Sequence, residues 1–81
     1  MVAVIIRDQL HEAKIIRQVY FTKPRNMCTI YDNIIMLDVH GKYVVEVIRK
    51  YSDSNTLDFR YRSEFDDLVH ANFYFDTLMD K

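Results

Sequence analysis

Glycine, proline and cysteine each occur once in these 81 residues, and tryptophan not at all. With Cys28 alone, no internal disulfide can form, which suits a reducing compartment. With one glycine there is no Gly-rich phosphate-binding loop. Because Ile, Val, Leu and aromatics are abundant where Gly and Pro are scarce, a disordered chain is excluded as well. No segment approaches the ~20 apolar residues of a membrane helix. The apolar run Val2 to Ile6 is too short for the core of a secretory signal. The expected setting is soluble and cytoplasmic.

Catalytic signatures are also missing. His11, His40 and His70 fall in different elements, without metal-ligand spacing, so no metal and no cofactor is expected. His70 follows Asp66 and Asp67 by four and three residues, a spacing for a helical hydrogen bond. Glu64, Asp66 and Asp67 crowd into one short segment, whereas paired-carboxylate chemistry takes its acids from two walls of a cleft. Cys28 follows Lys23 and Arg25 but lies in a β-branched run, where a lone cysteine behaves as a small apolar residue. The chain reads as a non-enzyme.

What is present points to one α+β domain over residues 1–81, with about a third of the unfolded surface left in contact with water. The segment NIIMLDV-HG-KYVVEVIRKY is the strongest local signal. Two β-branched runs flank His40-Gly41, and the glycine supplies the positive φ of a two-residue hairpin loop. A hairpin over 34–49 then pairs Val39 with Lys42, Leu37 with Val44 and Ile35 with Glu46. One face carries Ile35, Leu37, Val39, Val44 and Ile48; the other carries Ile34, Met36, Tyr43, Val45 and Val47. Both faces are apolar, so both require a cover.

The remaining elements are read around that hairpin. Residues 2–6 form a short buried strand. For residues 8–20 the absence of Gly or Pro favours an N-terminal helix capped by Asp8, with Leu10, Ala13, Ile16 and Tyr20 at helical spacing. The alternative is a strand, AKIIRQVYF, pairing back on residues 2–6 through DQLHE. Pro24 places a break at 22–26, and SDSN at 52–55 is a polar turn. Residues 56–62 alternate as a half-buried strand, with Leu57, Phe59 and Tyr61 on one side and Asp58, Arg60 and Arg62 on the other. Ser63 caps a C-terminal helix over 63–80, which has an acidic first turn. That helix covers one sheet face, and the N-terminal helix or a dimer mate covers the other.

Charge is distributed unevenly. Residues 1–62 hold ten Lys or Arg against seven Asp or Glu, whereas residues 63–81 hold Lys81 against five acids. Neutralisation within the fold is one account of that asymmetry, and interaction is the other. On the terminal helix, Leu68, Ala71, Phe75, Leu78 and Met79 form a core stripe, with Phe65 at its margin. Val69, Phe73 and Asp76 fall on another side. The expected contact surface is therefore Val69 and Phe73 within a rim of Asp66, Asp67, Asp76 and Asp80. Such a rim suits a protein partner, including one whose basic groove binds nucleic acid. Burial of the same surface in a homodimer within a larger assembly is the competing expectation. The alternative surface is a basic strand face of Arg49, Lys50, Arg60 and Arg62 for nucleic acid, against which the pI of about 6.2 argues.

In size, lone cysteine and lack of enzymatic motifs, the chain is similar to small phage- or mobile-element-encoded inhibitors, anti-CRISPR proteins among them. The resemblance is one of composition, and no residue role carries over from it. It is an analogy and no family assignment; a small stoichiometric inhibitor or regulator is the expected function.

Overall fold

The hairpin around His40 and Gly41 is the centre of the molecule. A computed structural model describes residues 2–80, the side chains of Phe59 and Arg60 excepted. Five antiparallel strands follow chain order in the sheet: β1 (Val2–Ile6), β2 (Gln9–Arg25), β3 (Cys28–Val39), β4 (Lys42–Tyr51) and β5 (Leu57–Phe65). One helix follows, α1 (Leu68–Met79). The class is α+β.

The β3–β4 register is the one the sequence implies, with Val39 opposite Lys42, Leu37 opposite Val44 and Ile35 opposite Glu46. His40 and Gly41 both take positive φ, +53° and +86°. This is the mirror-image turn that matches strand twist.

Residues 8–20 are not a helix. Residues 9–20 belong to β2, which spans 17 residues. Arg7 and Asp8 form its entry turn, both at positive φ (+52° and +64°). Asp8 is thus a turn residue rather than a helix cap. The reason the strand is hard to read is local. Arg-Asp lacks the Gly or Asn that usually marks such a turn, and Ile16 is an extra residue between the pairs Ile15–Leu37 and Arg17–Met36. A bulge of this kind switches the faces, so the period-two alternation breaks midway.

The bulge also bends β2. Residues 14–25 pair with β3, and residues 9–13 pair with β1 alone. The β1–β2 hairpin curls back, so that Val4 and Ala13 pack on Ile35, Leu37, Val39 and Val44. This hairpin, rather than an N-terminal helix, lies over part of the face opposite α1.

The other face is closed by α1. Ala71 and Phe75 are buried against Ile34, Met36, Val45 and Val47, with Val19, Phe21, Tyr43 and Phe65 around them. The Arg17 guanidinium lies 4.2 Å from the Phe75 ring centroid, a cation–π contact that seals the helix flank.

Two boundaries move. Pro24 does not break the chain; it pairs with Thr29 near the end of β2. Its missing N–H is harmless there, because that half of β2 has a strand on one side only. The turn falls instead at Asn26-Met27. The last strand runs to Phe65 rather than to residue 62, so Ser63 and Glu64 are strand residues and the helix begins five residues later than 63.

Candidate functional site

The start of α1 is set by Asp67, which sits at extended φ and ψ and accepts a 2.8 Å hydrogen bond from the His70 amide. Its second carboxylate oxygen lies 2.6 Å from His70 Nδ1. The donated amide, chiefly, holds the Asp67 carboxyl below the usual aspartate range. The capping residue is therefore Asp67 and not Ser63, and the first helical turn contains no acid.

From that start, the helical period sends side chains two ways. Phe75 is fully buried. Phe73, two residues earlier, is 75 % exposed, and Val69, one turn before it, is 77 % exposed. Leu68, expected in the core stripe, is exposed as well. The expected anchor residues Val69 and Phe73 thus stand together on the solvent side of α1.

The acidic rim is only partly free. Asp76 meets Arg17 at 3.0 Å, Asp66 meets Lys42 at 3.9 Å, and Asp67 is engaged with His70. Arg7 also reaches Glu64 at 3.9 Å. The tail acids and body cations therefore neutralise one another in part, as the charge asymmetry allowed. Asp80, at the helix end, is exposed.

The expected basic face does not assemble. Arg49 lies on the α1 side of the sheet and grips buried Asp32 with two bonds, 2.8 and 3.0 Å long. That pairing raises the Arg49 pKa further above its already high ordinary value. Lys23 adds a third charge at 3.8 Å from Asp32. Arg62 lies on the opposite face, where Nη2 stands 2.7 Å from Glu46 Oε1. Its Nη1 donates to the Ile5 carbonyl at 2.6 Å. Lys50 is exposed on that same side, opposite Leu57. The side chain of Arg60 lies outside the described residues. The β5 register shifts at Arg60, with Phe59 opposite Ile48 but Tyr61 opposite Val47, so simple alternation does not hold across that strand.

An apolar groove of about 720 Å³ runs beside β1, lined by Val2, Ala3, Val4, Ile5, Ile35, Leu37, Ile48 and the Glu46–Arg62 pair. The signal was available in Glu46, a lone acid inside the buried run YVVEVI. Such a residue requires a cation on a neighbouring strand. Elsewhere the His11 and His40 rings meet edge to face, 5.5 Å between centroids. No group of three His, Cys, Asp or Glu side chains that could hold a metal gathers among the described residues. No helix is long and apolar enough to cross a membrane.

No protein-family model, curated protein or solved structure matches the chain.

Proposed function

We propose that this chain is a non-enzymatic protein-binding module, a small stoichiometric inhibitor or regulator, and that its contact surface is the outward side of α1. The observation that carries this reading is the exposure of Phe73 and Val69, one helical turn apart, on a helix already anchored by Phe75 and Ala71. Two large apolar side chains at that spacing do nothing for the fold and match the anchor pattern of helix-in-groove recognition. Asp76 and Asp80 flank them, and no Lys or Arg lies between residues 63 and 80. The partner that fits is a protein with an apolar recess bordered by cations, such as a groove that otherwise holds nucleic acid. The Arg17–Asp76 pair orients the rim rather than cancelling it, since Asp76 stays more than half exposed.

The test compares the wild-type chain with the Val69→Ala/Phe73→Ala double variant. Truncating two solvent-exposed side chains should lower the melting temperature by no more than roughly 4–8 °C, because two surface changes of about 0.5 kcal/mol or less each sum to about 1 kcal/mol at most. A protein retained from host extract by the wild type should be lost with the double variant, with at least a ten-fold drop in affinity. Equal retention by both chains removes this reading. Light scattering on the purified chain separates the competing occupant: a dimer that persists on dilution and dissociates in the double variant assigns the surface to a second copy.

A further inference from the structure

The two outer strands of the sheet are built differently. β5 carries Asp58, Arg60, Arg62 and Glu64 and has a bulge at Arg60. Charge and irregularity of that kind discourage a further strand from pairing. β1 is VAVII, uncharged and regular, and its neighbour among the described residues is β2 alone.

The phase of β1 follows from its hairpin. Ile6 and Gln9 close a two-residue turn, so the backbone groups of Ile6, Val4 and Val2 face β2. Those of Ile5 and Ala3 face away. The Arg62 guanidinium on the Ile5 carbonyl agrees with that phase. Four consecutive residues, Val2 to Ile5, line the same groove. Alternating side chains of one strand cannot all do so; the wall of the groove is the strand's own hydrogen-bonding edge. The floor is apolar: Ile35, Leu37 and Ile48. Of its two charges, Glu46 is buried while the Arg62 side chain is 36 % exposed, so an occupant meets positive charge.

We propose that this groove accepts an extended peptide that pairs with the outward edge of β1 through the Ala3 N–H and carbonyl and the Ile5 N–H, places apolar side chains on Ile35 and Ile48, and directs a carboxylate to the exposed part of Arg62, beside the bond that Arg62 makes to the Ile5 carbonyl. The outward Ala3 N–H and carbonyl and the outward Ile5 N–H call for a peptide rather than a fatty acid, which has no groups to meet them. The volume lies within the range of ligand clefts. A second copy of the chain fits less well, because its own β1, VAVII, brings no carboxylate to Arg62. The site is separate from the outward side of α1, which covers the other face of the sheet.

The probe is a synthetic hexapeptide of alternating valine and threonine with a free C-terminal carboxylate, titrated into the full chain and followed by amide NMR. Shifts should centre on Ala3, Ile5 and Ile48, and amide exchange at Ala3 and Ile5 should slow at least ten-fold. A peptide N-methylated at alternate residues should bind at least ten-fold more weakly, and the C-terminal amide several-fold more weakly. Neither comparison touches the protein, so folding does not confound it. Ala3→Pro removes one outward N–H without costing a β1–β2 bond and should weaken the peptide similarly. Equal binding of methylated and unmethylated peptides overturns the proposal. So do shifts confined to Val69 and Phe73, tetradecanoate binding where the peptide does not, or self-association that buries Ala3 and Ile5. Absence of any shift at millimolar peptide overturns it too.

Discussion

Met36 and Leu37 are neighbours on β3 and point to opposite faces of the sheet. Met36 is sealed under α1 at 0 % exposure, and Leu37, at 3 %, lies under β1 and lines the groove. One face has a rigid lid with an aromatic core. The other is covered by a hairpin that curls over part of it and stops short. Nearly equal burial at two adjacent residues thus hides a difference in what lies beyond them. Near-zero exposure states only that water does not touch a side chain; it does not state that packing continues behind it.

The largest test of this contrast is a pair of truncations. Met36→Ala should cost about 4 kcal/mol, because a cavity under α1 has no easy route to collapse or hydrate. Leu37→Ala should cost only about 2 kcal/mol, since its space opens toward the groove and the β1–β2 hairpin can settle into it. Urea unfolding of both variants measures the difference. Equal losses would mean that the hairpin closes its face as firmly as the helix does.

Next in size is the polar boundary of each face. Asp32→Ala leaves Arg49 without its two bonds and should cost about 3 kcal/mol, as loss of one partner in a largely buried pair does. Glu46→Gln is milder. It keeps volume and an acceptor for Arg62, and the freed guanidinium remains partly exposed, so about 1 kcal/mol is expected. Thermal melts of the two variants should therefore separate by roughly 8–16 °C, with the α1 side again the more sensitive.

The smallest effect concerns the lid alone. The Asp67 carboxyl is held below its ordinary range in the fold, so its stabilising contribution is complete above the unfolded value of about pH 3.9 and is lost as pH falls through the lower folded value. Far-UV circular dichroism should show α1 loosening in that acid window, before the sheet unfolds. Asp67→Asn keeps a capping oxygen that does not titrate, and should remove this acid step. An unchanged acid profile in Asp67→Asn would place the step elsewhere.

How much was legible follows the same division. The β3–β4 hairpin could be read to the register because its information is local: one glycine between two β-branched runs. The outward side of α1 was legible because the helical period separates Phe73 from Phe75 whatever the neighbours are. Residues 8–20 misled because helix formers such as Gln9, Glu12 and Ala13 carry only weak preferences, and pairing with β1 and β3 overrides them. The helix start moved because Phe65 was needed in the strand, packed on Tyr74 at 5.3 Å between ring centroids, a contact that spacing alone does not reveal.

The sequence by itself determined a central two-faced hairpin and a terminal helix with a surplus of apolar perimeter, since both follow from periodicities only a few residues long. Tertiary structure alone decided what lies over the second face, which arginine meets which acid, and that β1 ends as an edge strand beside a groove. Those outcomes depend on a one-residue bulge at Ile16 and a Gly-free turn at Arg7-Asp8, where small backbone energies are settled by long-range strand pairing.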